Sequence, residues 1–119
     1  MCMTVRALDL LKYDGYSIIV SEIVDLKQGE SVSRKKYFFQ GVKYVILCFS
    51  FDTDVSDVGV YLERMNGTIN NTYPTDRGAM AMISFKPRFG QTLNVLVKNI
   101  SSRTPNSASK IRIIIAFKE

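Results

Sequence analysis

Apolar and polar residues alternate in short runs along most of the chain. In Asp57 to Leu62, Val58, Val60 and Leu62 fall on one side, with Asp57, Gly59 and Tyr61 on the other. That period of two marks a half-buried strand. Gln91 to Lys98 repeats the pattern, setting Leu93, Val95 and Val97 against Thr92, Asn94 and Leu96. Ser17 to Val24, Ser31 to Phe39, Lys43 to Phe51, Thr68 to Tyr73, Ala79 to Phe85 and Lys110 to Phe117 read as further strands. Turn residues separate them at Lys27 to Glu30, Gln40-Gly41, Asn66-Gly67, Pro74 to Gly78 and Pro87 to Gly90, with a polar loop over Ser101 to Ser109. Gly, Pro and Asn-Gly pairs are the strongest local signals of a chain reversal.

Only the N-terminal region has a helical period. Thr4 can cap a helix over residues 4–13 with Val5, Leu8 and Leu11 on one face, and Gly15 stops it. Evenly spaced short strands without helical crossovers predict an all-β fold, an antiparallel two-sheet sandwich of jelly-roll type with a short N-terminal helix. Alternation places Ile18, Val20, Val45, Leu47, Val58, Val60, Leu62, Phe85, Val95, Val97, Ile113 and Ile115 in its core.

Length and composition narrow this picture only modestly. A chain of 119 residues, 46% apolar and 23% charged, forms one domain over residues 1–119 around a single core. No run reaches the roughly 18 apolar residues that span a bilayer. The net charge of +5 is spread thinly, and the one tight basic cluster is Arg34-Lys35-Lys36. No segment interleaves aromatic rings with Arg or Lys as a base-stacking platform requires, so nucleic acid is not the expected partner. The start of the chain lacks the charged and long apolar regions of a secretory signal. The expected location is cytoplasmic, or extracellular if the chain is a mature form. Sequons at Asn66, Asn70 and Asn99 would matter only in a eukaryotic secretory pathway.

Candidate chemistry is sparse. The chain has no histidine, which excludes Ser-His-Asp and Cys-His catalysis and the commonest zinc sites. Two cysteines, Cys2 and Cys48, make no disulfide framework, and Cys48 reads as a buried thiol. The chain is therefore expected not to be an enzyme. Asp52, Asp54 and Asp57 form an acidic turn that reads in two ways. With backbone carbonyls it could hold Ca²⁺, although Asp57 stands where an EF-hand loop needs glycine and flanking helices are lacking. Alternatively, the acids solvate a turn and discourage edge pairing; that second reading is favoured, with no resident cofactor. Tyr44, Tyr61, Tyr73 and Phe89 suggest a carbohydrate platform or an interface, with the interface favoured. Tyr61 and the Arg34-Lys35-Lys36 cluster are the candidate binding residues. Met80 and Met82 read as core filler.

From Val24 to Phe117 the order of features resembles the bacterial pre-peptidase C-terminal domain family. The resemblance rests on Leu26-Lys-Gln-Gly29-Glu30, Gly41-Val-Lys-Tyr44-Val-Ile46, the run Asp52 to Leu62, Asn66-Gly67, Ser84-Phe85-Lys-Pro87 and Leu93-Asn-Val95-Leu-Val97. Gly59 stands where the family often has another aspartate, Phe51 and Val55 where some members carry a cysteine pair, and the last strand has no tyrosine. The resemblance implies a jelly-roll-like accessory domain, usually exported, that binds or assembles. Two functions follow as expectations. One is a structural subunit that self-assembles or joins a larger protein assembly. The other is an accessory module that recognises a protein or glycan surface.

Overall fold

A computed structural model of the chain describes residues 14–50, 52, 54–64, 69–72 and 80–119, with only the backbone for 69–72. The strands are β1 (Ser17–Leu26), β2 (Ser31–Phe38), β3 (Lys43–Phe49), β4 (Val55–Arg64), β5 (Ile69–Thr72), β6 (Met80–Phe85), β7 (Gln91–Ser102) and β8 (Ser109–Lys118). They form two four-stranded sheets, ordered β1-β8-β3-β6 and β2-β7-β4-β5. Every pairing is antiparallel. The expected all-β, two-sheet antiparallel sandwich is what forms. The helix expected over residues 4–13 lies outside the described residues. Among those residues, no helix is long and apolar enough to cross a membrane.

One apolar core fills the space between the sheets. Ile46, Ile83, Ile113 and Ile115 from the first sheet meet Val60, Leu62, Val95 and Val97 from the second, all nearly or fully buried. Strand alternation alone delivers these side chains to the interior. The second sheet keeps a simple alternation along β7, whereas β3 is buried on both faces.

That double burial corrects the expected face of β3. Its inward residues are Tyr44, Ile46 and Cys48. Val45 and Leu47 are buried as well, but Leu47 joins Phe49 and Ile114 in a second cluster on the outer side of the first sheet. A one-residue change of register carries a strand's whole set to the other face. Ile18 also packs on this outer cluster, while Val20 packs on the main core. A bulge between Ile18 and Val20 inserts one residue and so separates two positions that strict alternation would align. Met82, expected in the core, is exposed on β6.

The turns sort into two ends of the sandwich. The start of β1, the β2–β3 turn and the β6–β7 turn lie at one end, next to the close of β8. The β1–β2, β3–β4 and β7–β8 connections lie at the other.

Candidate functional site

The first end is built from aromatic residues. Alternation along β2 sends Phe38 inward, where it is fully buried, and leaves Tyr37 outside. Phe38 meets the Tyr44 ring edge-on at 4.8 Å and Phe85 at 5.0 Å, and Tyr44 stacks on Phe85 at 5.6 Å. Such offset and edge-to-face pairs are the arrangements ring quadrupoles favour. The Tyr44 hydroxyl accepts the Phe39 amide hydrogen at 2.9 Å, which satisfies a polar atom that burial would otherwise strand. Gly41 takes a positive φ of 77°, a conformation that costs an L side chain energy, and its amide donates to Pro87 O at 3.1 Å. That bond joins the two turns of this end.

Beside the aromatic core lies a pocket of about 490 Å³. Ile19, Val42, Tyr44 and Phe117 line it, with Tyr37 and Phe39 also on its wall and Lys36 and Glu119 as its charged members. Phe39 is 60% exposed and Tyr37 47%, and their rings meet edge-on at 4.9 Å. Sites for small ligands span roughly 300–1,000 Å³ and combine apolar walls with a few polar groups. An adjacent cleft of about 430 Å³ is bounded by Arg64, Lys86, Arg88 and the exposed Phe89, with Phe85, Pro87 and Gln91. This end of the sandwich thus presents both rings and cations.

The expected basic cluster divides between the faces of β2. Arg34 and Lys36 occupy the half-buried positions, and Lys35 lies exposed between them. The Arg34 guanidinium bonds Glu22 of β1 at 2.8 Å, bridging the edge strands of the two sheets. Inward-pointing charge of this kind blunts an edge against further pairing. Lys36 enters the pocket wall. Arg34, Lys35 and Lys36 therefore do not form one cationic surface.

The acidic end is held together differently. Asp52 Oδ2 accepts the Lys110 amide at 2.8 Å, and Asp54 Oδ2 accepts the Thr104 hydroxyl at 3.0 Å. Ser50 donates its hydroxyl to Lys110 O at 2.7 Å, and the Asp54 carbonyl accepts the Arg103 amide at 2.7 Å. These bonds tie the β3–β4 loop to the β7–β8 loop. Asp57 is half-buried in β4, opposite Ser101. Among the described residues, no group of three His, Cys, Asp or Glu side chains is placed to hold a metal ion. Two of the three proposed calcium ligands thus serve as acceptors for the neighbouring loop.

The remaining candidates scatter. Tyr61 lies across Gly59 on the outer face of the second sheet, where a Cβ on Gly59 would stand 2.7 Å from the Tyr61 hydroxyl. Tyr44 is buried, so Tyr44, Tyr61 and Phe89 form no single platform, and Tyr73 lies outside the described residues. Asn99 is fully buried and donates its Nδ2 to Leu26 O at 3.0 Å, so that sequon cannot carry a glycan on the folded chain. Asn66 and the Asn70 side chain lie outside the described residues. Burial pushes the Cys48 thiol up from 9.0 to about 12, which makes it a poor nucleophile at neutral pH.

Pattern reading missed the pocket, although its signal is present in the run Tyr37-Phe38-Phe39 ahead of Gln40-Gly41 and Tyr44. No protein-family model matches the chain, and no curated protein sequence matches it.

Proposed function

We propose that the chain is a non-catalytic structural subunit, folded as a jelly roll, that assembles with other copies or joins a larger protein assembly. The observation that carries this reading is the strand order, β1-β8-β3-β6 facing β2-β7-β4-β5. Antiparallel hairpins folded over one another across two sheets give that order, and the arrangement recurs in shell-forming and lectin domains. Fold alone never fixes function. Two further observations support a non-catalytic role. The chain has no histidine, and its described thiol is buried and strongly protonated. Kinship with pre-peptidase C-terminal domains, with the export it implies, belongs to the same proposal and rests on the sequence motifs quoted above. No cofactor is needed.

Size-exclusion chromatography with light scattering, run across a wide concentration range, tests this function. Masses above 13.5 kDa that grow with concentration are expected, with ordered particles or polymers in negative-stain images. A strict monomer throughout would rule out self-assembly. The aromatic pocket favours a second reading, an accessory module that recognises a protein or glycan surface. A monomer that retains a glycan or peptide in a binding screen, and loses it on Phe39→Ser, would support that reading instead.

A further inference from the structure

We infer that residues 4–13 form an amphipathic helix laid over the outer side of the first sheet, β1-β8-β3-β6, where it seals an apolar face independently of any assembly between copies.

The face demands a cover. Strand register puts Val45, Leu47 and Phe49 of β3 beside Ala116, Ile114 and Arg112 of β8 on that side, while Ile46, Ile113 and Ile115 point into the sandwich. Strands apolar on both faces belong to sheets covered on both sides. Val45, Leu47, Phe49, Ile114 and Ala116 are all buried, and Arg112 Nε beside them is shut off from solvent without a hydrogen-bond partner. Yet all the described strands lie in the two sheets, whose shared core is on the opposite side, and the described turns lie at the two ends. The cover must come from the rest of the chain.

Its outline is narrow. In the same rows, Ser21 and Ile23 of edge strand β1 and Met82 and Ser84 of edge strand β6 are exposed. Only the two middle strands are shielded. Neighbouring strands stand about 4.8 Å apart, so one helix about 10 Å across covers two of them. From Val45 to Phe49 the strand runs about 14 Å, and a helix over residues 4–13 is about 15 Å long. Footprint and segment agree in both directions.

The N-terminal segment is also the one placed to reach. Lys118 follows Ile114 and Ala116 on the outward side of β8, opposite Lys43. A Cβ on Gly15 would stand 3.5 Å from Lys118 Cε, and Lys118 Nζ lies 5.8 Å from the centre of the Tyr16 ring. The chain thus enters β1 along the outer side of the sheet. Gly15 has a φ of 87°, the left-handed conformation that commonly follows the last turn of a helix, so the preceding residues double back over β8 and β3. Val5, Leu8 and Leu11 share one helical face, with Arg6, Asp9 and Tyr13 on the other. The apolar face meets the sheet and the polar face meets water. Ile18, already packed on Leu47, Phe49 and Ile114, lies beneath the helix end. Residues 73–79 fit less well, because they lead into β6 and would shield Met82 before reaching Ile114. Residues 65–68 join two strands of the other sheet.

Methyl nuclear Overhauser spectra of the unmodified chain test the contact. Leu8 and Leu11 should show cross-peaks to Leu47 and Ile114, and isotope filtering of a mixture of labelled and unlabelled chain should place them within one molecule. Leu8→Asp with Leu11→Asp should lower the urea midpoint and raise binding of an anilinonaphthalene sulfonate dye several-fold, since an uncovered apolar face takes up such a probe. Arg6→Ser, on the opposite helical face, should change neither. If the double variant does not fold, Leu8→Ala and Leu47→Ala, singly and together, replace it, and contact between them makes their effects non-additive. Cross-peaks from Leu47 and Ile114 to residues 73–79 would assign the face to the β5–β6 connection, and cross-peaks only between molecules would assign it to a second copy. Either result overturns the inference. So would a folded double variant with the midpoint and dye binding of the wild type, or strict additivity of the two alanine substitutions.

Discussion

The two ends of the sandwich are built by different physics. At one, Phe38, Tyr44 and Phe85 pack ring against ring, with one buried hydroxyl bonded to a backbone amide. At the other, the loops are held by polar contacts to the backbone from Ser50, Asp52, Asn99 and Gln28. The hydrophobic effect that buries these rings is non-directional and scales with the apolar area removed from water. Hydrogen bonds contribute little net energy each, yet leaving a buried one unmade is costly. The aromatic end should therefore dominate stability, and the acidic end should mainly fix loop geometry.

The largest effect should come from Phe38→Ala. Removing a fully buried ring costs about 3–5 kcal/mol, and Tyr44 and Phe85 would lose their shared neighbour. The urea midpoint should fall sharply with little change in slope, since the surface exposed on unfolding changes little. A loss below about 1 kcal/mol would mean that the aromatic end is not where stability resides.

Cys48 lies on β3 and reports how dry the shared core is. Its thiol is raised from 9.0 to about 12 by burial, opposed by a weaker backbone hydrogen bond. The folded chain therefore keeps this proton while the unfolded chain releases it. The associated stability is complete below pH 9 and is lost as pH rises through the folded value near 12. The loss should approach about 1.4 kcal/mol per pH unit in that window. The informative comparison is with Cys48→Ala, whose stability should fall less steeply with pH. Equal slopes for the two proteins would mean that water reaches the thiol.

At the polar end, Asn99→Ala should cost about 1–3 kcal/mol, because Leu26 O loses its buried donor. Asn99 also frames the β1–β2 turn through its backbone, accepting from Gly29 at 2.7 Å and donating to Glu30 at 3.1 Å. Those backbone bonds survive the substitution, so amide exchange should quicken around residues 26–30 without global unfolding. Exchange unchanged at those amides would show that the backbone bonds alone hold the turn.

The contrast between the ends also explains what could be inferred from the sequence. Strands and turns were legible because period-two alternation and Gly or Pro punctuation are local properties. The faces of β3 were not, because Tyr44-Val-Ile-Leu-Cys-Phe49 is apolar throughout and buried on both sides, so it has no alternation to follow. The bulge at Ile18 and Val20 leaves no mark in composition. Arg34 and Lys36 read as surface charge until strand order placed β2 at an edge and Glu22 opposite Arg34. The acidic turn was visible as a cluster, but its partners Thr104 and Lys110 lie 50 and 58 residues from Asp54 and Asp52 along the chain. Only the folded topology brings them together.

The smallest expected effect concerns calcium at that turn. A ligand that binds only the folded state raises its melting temperature by mass action, so a calcium site would announce itself at millimolar Ca²⁺. Asp52 and Asp54 each already have one carboxylate oxygen bonded to the neighbouring loop, and the Lys110 ammonium pairs with Asp25 at 3.3 Å, placing a positive charge at the same end. A cation would have to compete with these contacts and with that charge. Neither Ca²⁺ nor Mg²⁺ should shift the melting temperature. Asp54→Asn should cost no more than about 1 kcal/mol, the difference between a charged and a neutral acceptor for one exposed hydroxyl. A calcium-dependent rise that disappears in Asp54→Asn but survives in Asp9→Asn, a control in the N-terminal segment 4–13 well apart in sequence from the turn, would reverse this conclusion. The acidic end would then be a metal site, with its loop contacts secondary to the ion.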